Sequence, residues 1–164
     1  FYAQLARRVR EAGGGLVLDS NGAALAETLA AGVYLVKPSL RELRELTGQS
    51  LPDEASWRDA ARQIIAQGQA QIVALSLGGD GALLVTADEA WRAQSLRVNV
   101  ASTIGAGDSF VGGLVGALSQ GQPLEEALGH AMAAGAAALL LPGTNLCDPA
   151  DVERLRHEVR LTPV

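Results

Sequence analysis

The sequence predicts an α/β fold built on a mainly parallel sheet, and three observations carry that reading. Apolar runs of strand length alternate with helix-length amphipathic segments along nearly the whole chain. The first three of those runs are rich in Val, Leu and Ile without strict alternation, as expected of strands covered on both faces by helices. One stretch departs from the alternation: residues 78–98 are Gly-rich, offer two short strands and no helix, and read as an antiparallel hairpin at the sheet edge.

Taken in order, "FYAQLARRVREA" sets Leu5, Val9 and Ala12 on one face and predicts a helix over 2–12 that is already under way at the first residue. With no methionine at its start, the chain is expected to be part of a longer polypeptide. Strands are predicted at "LVLDS" (16–20), "VYLVK" (33–37), "QIVALSL" (71–77) and "ALLVTA" (82–87), with a weaker one over "WRAQSLRV" (91–98). Further helices are predicted over 22–31, 39–47, 53–67, 106–120, 124–140 and 149–160. Ser39, Asp53 and Asp148 stand at or near helix starts, and Gly13, Gly32, Gly48, Gly68 and Gly121 mark helix stops. No internal repeat or low-complexity linker divides the chain, so residues 1–164 read as one domain.

Composition narrows the function. With 164 residues, 48% hydrophobic and 19% charged, the chain can bury about two-thirds of its unfolded surface and should be globular. A net charge of −5, with Lys37 the only lysine and the arginines scattered, argues against tracking nucleic acid or an anionic membrane. Trp57 and Trp91 lack interleaved basic residues, so they make no platform for stacked bases. A lone cysteine, Cys147, excludes an internal disulfide and reads as a small buried apolar residue. His130, on a helical pattern, and His157, on a charged terminal helix, have no metal-ligand spacing, which suits a reducing, cytoplasmic setting. No run approaches the ~18 apolar residues of a membrane span, and no secretion signal is present at the first residues.

The chemistry concentrates in "STIGAGDSFVGG" (102–113). It is not a Walker loop, which needs Gly-Lys-Ser/Thr, nor a dinucleotide fingerprint, because Phe110 stands at the third glycine position. What remains is Gly105, Ala106 and Gly107 entering a helix, whose unpaired N–H groups and positive dipole end form an anion site. A carboxylate, Asp108, sits inside it. Two readings stand. Asp108 is the general base beside a transferring phosphoryl group, or it is a helix-start acid complementing the dipole while Gly112, Gly113 and Gly116 permit close helix packing.

Five motifs in sequence order resemble those of the ribokinase-like (PfkB-type) carbohydrate kinases. They are "LDSNGAAL" (18–25), "KPSLRE" (37–42), "SLGGDG" (76–81), "STIGAGDSFVGG" and "GTNLC" (143–147), and they cover nearly the whole chain. The resemblance implies a three-layer α/β/α fold and the C-terminal, nucleotide-binding part of such a kinase, with the sugar-binding half and its lid lying upstream. It points to the 6-phosphofructokinase subgroup, which phosphorylates fructose 6-phosphate with ATP, with tagatose-6-phosphate and fructose-1-phosphate kinases as alternatives. A further alternative is a nucleotide-binding module without turnover. The 164 residues alone are expected to bind ATP weakly, to associate and not to phosphorylate sugar; the full-length protein is expected to be a cytoplasmic homodimer that binds neither nucleic acid nor membrane.

Carried onto this sequence, the resemblance makes Asp108 the base and Gly105, Ala106 and Gly107 the anion hole. Lys37 and Ser39 fall near the nucleotide phosphates, and Glu42 helps organise the water shell of Mg2+. Ser39 stands where the family has asparagine, which shortens the reach of that contact. Ser76, Leu77, Gly78, Gly79, Asp80 and Gly81 imply a backbone wall along ATP; an ordinary hairpin turn is compatible with the same residues. Val100, Met132 and Ala136 match adenine-lining positions, although small apolar helix residues are core more often than ligand wall. Ser102, Ile104, Ala138, Leu141, Gly143 and Asn145 match a K+ site made mostly of carbonyl oxygens, with Leu141 replacing an asparagine.

Overall fold

A computed structural model describes residues 1–143 and 145–164. The chain divides into two compact units, the first formed by residues 1–77 and 83–90 and the second by 78–82 and 91–164.

In the first unit, α1 (Tyr2–Glu11) precedes the two-residue strand β1 (Val17–Leu18), and α2 (Gly22–Leu29) leads into β2 (Val33–Val36). Two further helices, α3 (Leu40–Thr47) and α4 (Glu54–Ala66), lie between β2 and β3 (Ala70–Ser76). β1 pairs parallel with β2 (Val17 opposite Leu35, Leu18 opposite Val36), and β2 pairs parallel with β3 (Val33 opposite Ala70, Leu35 opposite Ile72). β4 (Ala82–Val85) carries Leu83, Leu84 and Val85 fully covered. Leu35, Val36, Val73, Ala74 and Leu75 are also wholly buried, which explains why these strands read as continuous apolar runs. Helix α1 packs on α2, and both α3 and α4 pack on β3.

The helix ends follow the local chemistry. Asp53 caps α4 by accepting the Ser56 N–H at 2.9 Å, and the Ser56 hydroxyl returns a bond from the Asp53 N–H at 3.2 Å. Those bonds hold the exposed Asp53 carboxyl below its ordinary range, first through the Ser56 backbone and then through its side chain.

In the second unit a single 3-10 turn (Gly78–Asp80) is followed by β5 (Ala90–Ala93), a stretch without regular structure, α5 (Ala106–Ser119), α6 (Leu124–Leu139) and α7 (Pro149–Arg156). Helix α5 packs closely on α6: a Cβ on Gly113 would sit 2.8 Å from the His130 carbonyl and 2.9 Å from the Ala134 Cβ, so only glycine allows the approach. α6 packs on α7 around Ala133, Ala136, Ala137 and Leu155, with Cys147 and Val152 partly buried against them. Asp148 caps α7 at the Ala150 N–H (2.9 Å), ahead of Pro149 in the first turn.

The α/β reading and the order of elements hold; three details differ from expectation. The strand expected over 91–98 is confined to Ala90–Ala93, and the segment expected to lack helix contains the 3-10 turn. The last helix ends at Arg156, and the chain then forms β6 (Leu161–Pro163), which pairs antiparallel with β5 through Trp91–Pro163, Arg92–Thr162 and Ala93–Leu161. A three-residue strand ending in proline gives no periodicity to read, and proline lacks the N–H that would mark it as a paired strand. Among the described residues no helix is long and apolar enough to cross a membrane.

Candidate active site

The residues singled out by motif fall at loop positions immediately after strands or at helix starts. Lys37 directly follows β2, and its N–H donates to the Leu18 carbonyl at 2.9 Å, continuing the β1–β2 ladder. Its side chain is only 11% exposed, and its Nζ lies 3.1 Å from Asp19 Oδ2. Ser39 is the N-cap of α3. Its Oγ accepts the Glu42 N–H at 3.3 Å while Glu42 Oε2 accepts the Ser39 N–H at 2.8 Å, a complete capping box. The asparagine-to-serine departure therefore keeps the cap. Glu42 Oε1 is not used by the cap and lies 3.8 Å from the exposed Arg41 guanidinium.

The same loop is tied to Ser76. Ser39 and Ser76 form a parallel bridge, and the Ser76 N–H donates to the Pro38 carbonyl at 2.9 Å. The "KPSLRE" and "SLGGDG" motifs thus begin side by side, beyond the carboxyl ends of β2 and β3, where open parallel sheets collect ligands.

In the second unit, the glycines of "SLGGDG" form the 3-10 turn, with Gly78, Gly79 and Asp80 exposed. Gly81 has φ +101°, and a Cβ there would fall 2.1 Å from the Ala93 carbonyl oxygen. No other residue fits both the dihedral and the space. Arg92 locks the turn from behind: its guanidinium donates to the Asp80 carbonyl at 2.6 Å, to the Ala82 carbonyl at 3.2 Å and to the Ala93 carbonyl.

The "GAGD" segment forms the N-terminus of α5. Gly105 is the N-cap with φ +80°, a left-handed conformation natural to glycine, and its carbonyl accepts the Ser109 N–H at 2.8 Å. Helix geometry leaves the N–H groups of Ala106, Gly107 and Asp108 without an intrahelical acceptor. The Asp108 side chain is exposed and takes no hydrogen bond or ion pair among the described residues; it does not cap the helix. It opens on a groove of about 790 Å³ between α5, α6 and α7, which also exposes Gly112, His130 and Cys147.

Of the positions matched to a K+ site, Ser102, Ala138 and Leu141 lie at the C-terminal end of α6, with Ile104 tied to Ser102. The Leu139 carbonyl accepts the Ala101 N–H at 2.7 Å and the Ser102 N–H at 3.4 Å, while the Ser102 Oγ accepts the Ile104 N–H at 3.1 Å. Ala138 and Leu141 share that helix end, joined by the Leu141 N–H to Ala138 carbonyl bond at 3.3 Å. Gly143 and Asn145 are exposed; Thr144 of the "GTNLC" motif lies outside the described residues. Of the adenine-lining candidates, Val100 is 57% exposed, whereas Met132 and Ala136 are buried on one face of α6.

One side chain with a place in these loops, that of Arg92, escaped the motif reading. Asp19 lies within the "LDSNGAAL" motif, at a strand end where ligands collect, but its pairing with Lys37 was not read from the sequence. Arg92 gave no signal, because its partners are backbone carbonyls that no pattern encodes.

Residues 1–151 match the sequence profile of the pfkB family carbohydrate kinases. The chain belongs to this family. It is 40% identical over 154 residues to the ATP-dependent 6-phosphofructokinase isozyme 2 of Mycobacterium tuberculosis, covering 94% of this chain and 45% of that protein. It is 38% identical over 148 residues to the 1-phosphofructokinase of Escherichia coli, covering 90% and 47% respectively. Among solved structures, the phosphofructokinase-2 of Escherichia coli in complex with potassium matches with a TM-score of 0.90 at 37% identity, over 96% of this chain and 51% of that one. A ribokinase of Arabidopsis thaliana complexed with ribose and ATP matches with a TM-score of 0.83 at 26% identity, over 94% and 51%. The fold is ribokinase-like. The chain spans about half the length of the curated relatives it matches.

Proposed function

We propose that this chain is the C-terminal, nucleotide-binding half of a pfkB-family kinase that phosphorylates fructose 6-phosphate with ATP, giving fructose 1,6-bisphosphate and ADP. The observation that carries the reading is the Asp108 carboxylate, unpartnered, in the first turn of α5 behind a left-handed glycine. Its side chain holds no backbone N–H, which leaves both carboxylate oxygens free to accept a proton.

In this reaction Asp108 takes the proton of the attacking sugar hydroxyl as its oxygen bonds to the γ-phosphorus and the bond to the β–γ bridging oxygen breaks, with ADP leaving. The N–H groups at the start of α5 donate to the phosphoryl oxygens, aided by the helix dipole. Lys37 and Ser39 act at the nucleotide phosphates, and the 76–81 backbone walls the nucleotide. Among the described residues no three His, Cys, Asp or Glu side chains cluster as a metal cage. Mg2+ would be held mainly by phosphate oxygens and water, with Glu42 Oε1, which the capping box leaves unused, placed to hold one such water. Mg2+ bound there neutralises phosphate charge. The carbonyl-rich end of α6 and the Ser102 loop would hold K+.

The upstream half of the polypeptide supplies the sugar contacts and the lid, and the full-length enzyme is a homodimer. Fructose 1-phosphate is the second acceptor to consider, because the 38% identity to a 1-phosphofructokinase nearly equals that to the 6-phosphofructokinase. The deciding assay measures ADP release by the full-length protein with fructose 6-phosphate, fructose 1-phosphate and tagatose 6-phosphate. The highest kcat/KM is expected for fructose 6-phosphate. Preference for another acceptor reassigns the substrate, and no turnover with any of them leaves a nucleotide-binding module.

A further inference from the structure

β1 and β2 are parallel and in register, with Leu18 opposite Val36, so Asp19 and Lys37 are the next residues along two neighbouring strands at their carboxyl ends. The Lys37 N–H to Leu18 carbonyl bond of 2.9 Å fixes the two backbones at that point, and the side chains then meet at 3.1 Å. Their environments differ: Lys37 is 11% exposed and Asp19 is 39% exposed. The lysine stem is enclosed, and its head is held from the open side by a carboxylate.

A lysine ammonium is a compact charge on a flexible four-carbon stem, with no planar fork to fix its direction. Contact with an anionic phosphate at a chosen place therefore needs something else to hold the head. Lys37 is the only lysine of the chain, and Asp19 is its one carboxylate partner among the described residues. A bond to one carboxylate oxygen uses one of three ammonium protons and leaves two to donate.

We propose that Asp19 is a positioning residue of the kinase site: it fixes the ammonium of Lys37 so that its remaining N–H groups meet the nucleotide phosphates. The proposal rests on the assignment of Lys37 to those phosphates made above. Asp19 touches neither substrate in this account and acts through Lys37 alone.

A double-mutant cycle tests it in the full-length enzyme, with Asp19→Asn, Lys37→Met and the pair, reading kcat, KM for ATP and thermal unfolding of each. Lys37→Met is expected to lower kcat/KM for ATP at least about tenfold, and Asp19→Asn several-fold. The double variant should be no worse than Lys37→Met, because Asp19 has nothing left to position. Asp19→Glu, which keeps the charge, should recover part of the loss. If the two losses multiply in the double variant, or if Asp19→Asn matches the parent, the proposal is overturned while the Lys37 assignment stands. If Lys37→Met leaves kcat/KM for ATP unchanged, that assignment fails and the proposal with it. Should Asp19→Asn not fold, the same cycle with Asp19→Ser decides between the same outcomes.

Discussion

Ser39 and Glu42 satisfy each other's backbone, the serine N–H reaching Glu42 Oε2 at 2.8 Å and the glutamate N–H reaching Ser39 Oγ at 3.3 Å. The pair starts α3 and fixes the glutamate side chain in the same act. Ser39→Ala should therefore lower stability by about 1 kcal/mol, and Ser39→Asn, which keeps a capping oxygen, by much less. Glu42→Gln keeps an oxygen for the Ser39 N–H, so its melting temperature should stay near the parent's while the Mg2+ concentration needed for half-maximal rate rises. An unchanged Mg2+ requirement would remove Glu42 from the metal's surroundings.

Gly81 and Gly79 make a matched comparison within the 76–81 turn. Gly81 combines φ +101° with a Cβ position 2.1 Å from the Ala93 carbonyl, whereas a Cβ on Gly79 meets nothing within 4 Å and its backbone lies outside the left-handed range. Gly81→Ala should destabilise by more than about 2 kcal/mol, and Gly79→Ala by less than about 1 kcal/mol. Chemical denaturation of the two variants checks the order; similar losses would contradict the packing described.

Acid stability carries a signature of Asp53. Its carboxyl is held below the ordinary carboxylate range in the folded chain, by the Ser56 backbone bond above all. A lowered native pKa gives stability that is present above the unfolded value of 3.8 and is lost as pH falls through the lower folded value. Asp53→Asn still caps α4, so its melting temperature near pH 6 should resemble the parent's, while the drop between about pH 5 and pH 2 should be smaller. Equal drops would show that the Ser56 bonds do not favour the ionised form.

Much of this was legible in the residues. Apolar runs without alternation gave the strands, and Ser39, Asp53 and Asp148 marked three helix starts that the structure places at those residues. Local chemistry decides these features, so local sequence reports them. The parts that escaped depend on distant backbone. Arg92 serves carbonyls at Asp80 and Ala82, and β6 exists because β5 offers it a partner. Asp19 pairs with Lys37 across a register that no single strand encodes. "GAGD" was legible as an anion site with a carboxylate in it, and the structure adds that this carboxylate takes no capping bond; a base and an acid that complements the helix dipole are separated by kinetics.

The end of α6 gives a salt prediction. The Leu139 carbonyl meets the Ser102 loop there, and the proposed ligand set, being made of backbone carbonyls, would survive the replacement of asparagine by Leu141. The full-length enzyme should turn over faster in K+ than in Na+ at equal ionic strength. Equal rates in the two salts would remove the cation from the mechanism.

The central claim is that Asp108 removes a proton, and Asp108→Asn in the full-length enzyme tests it most directly. The substitution keeps side-chain size and the N–H groups at the start of α5, and it removes a negative charge near the γ-phosphate, so affinity for ATP should be similar or tighter. The account predicts a fall in kcat of about 10²- to 10⁴-fold, with little change in KM and in the melting temperature. A variant that melts lower yet turns over within a few-fold of the parent would make Asp108 a helix-start residue and contradict the account.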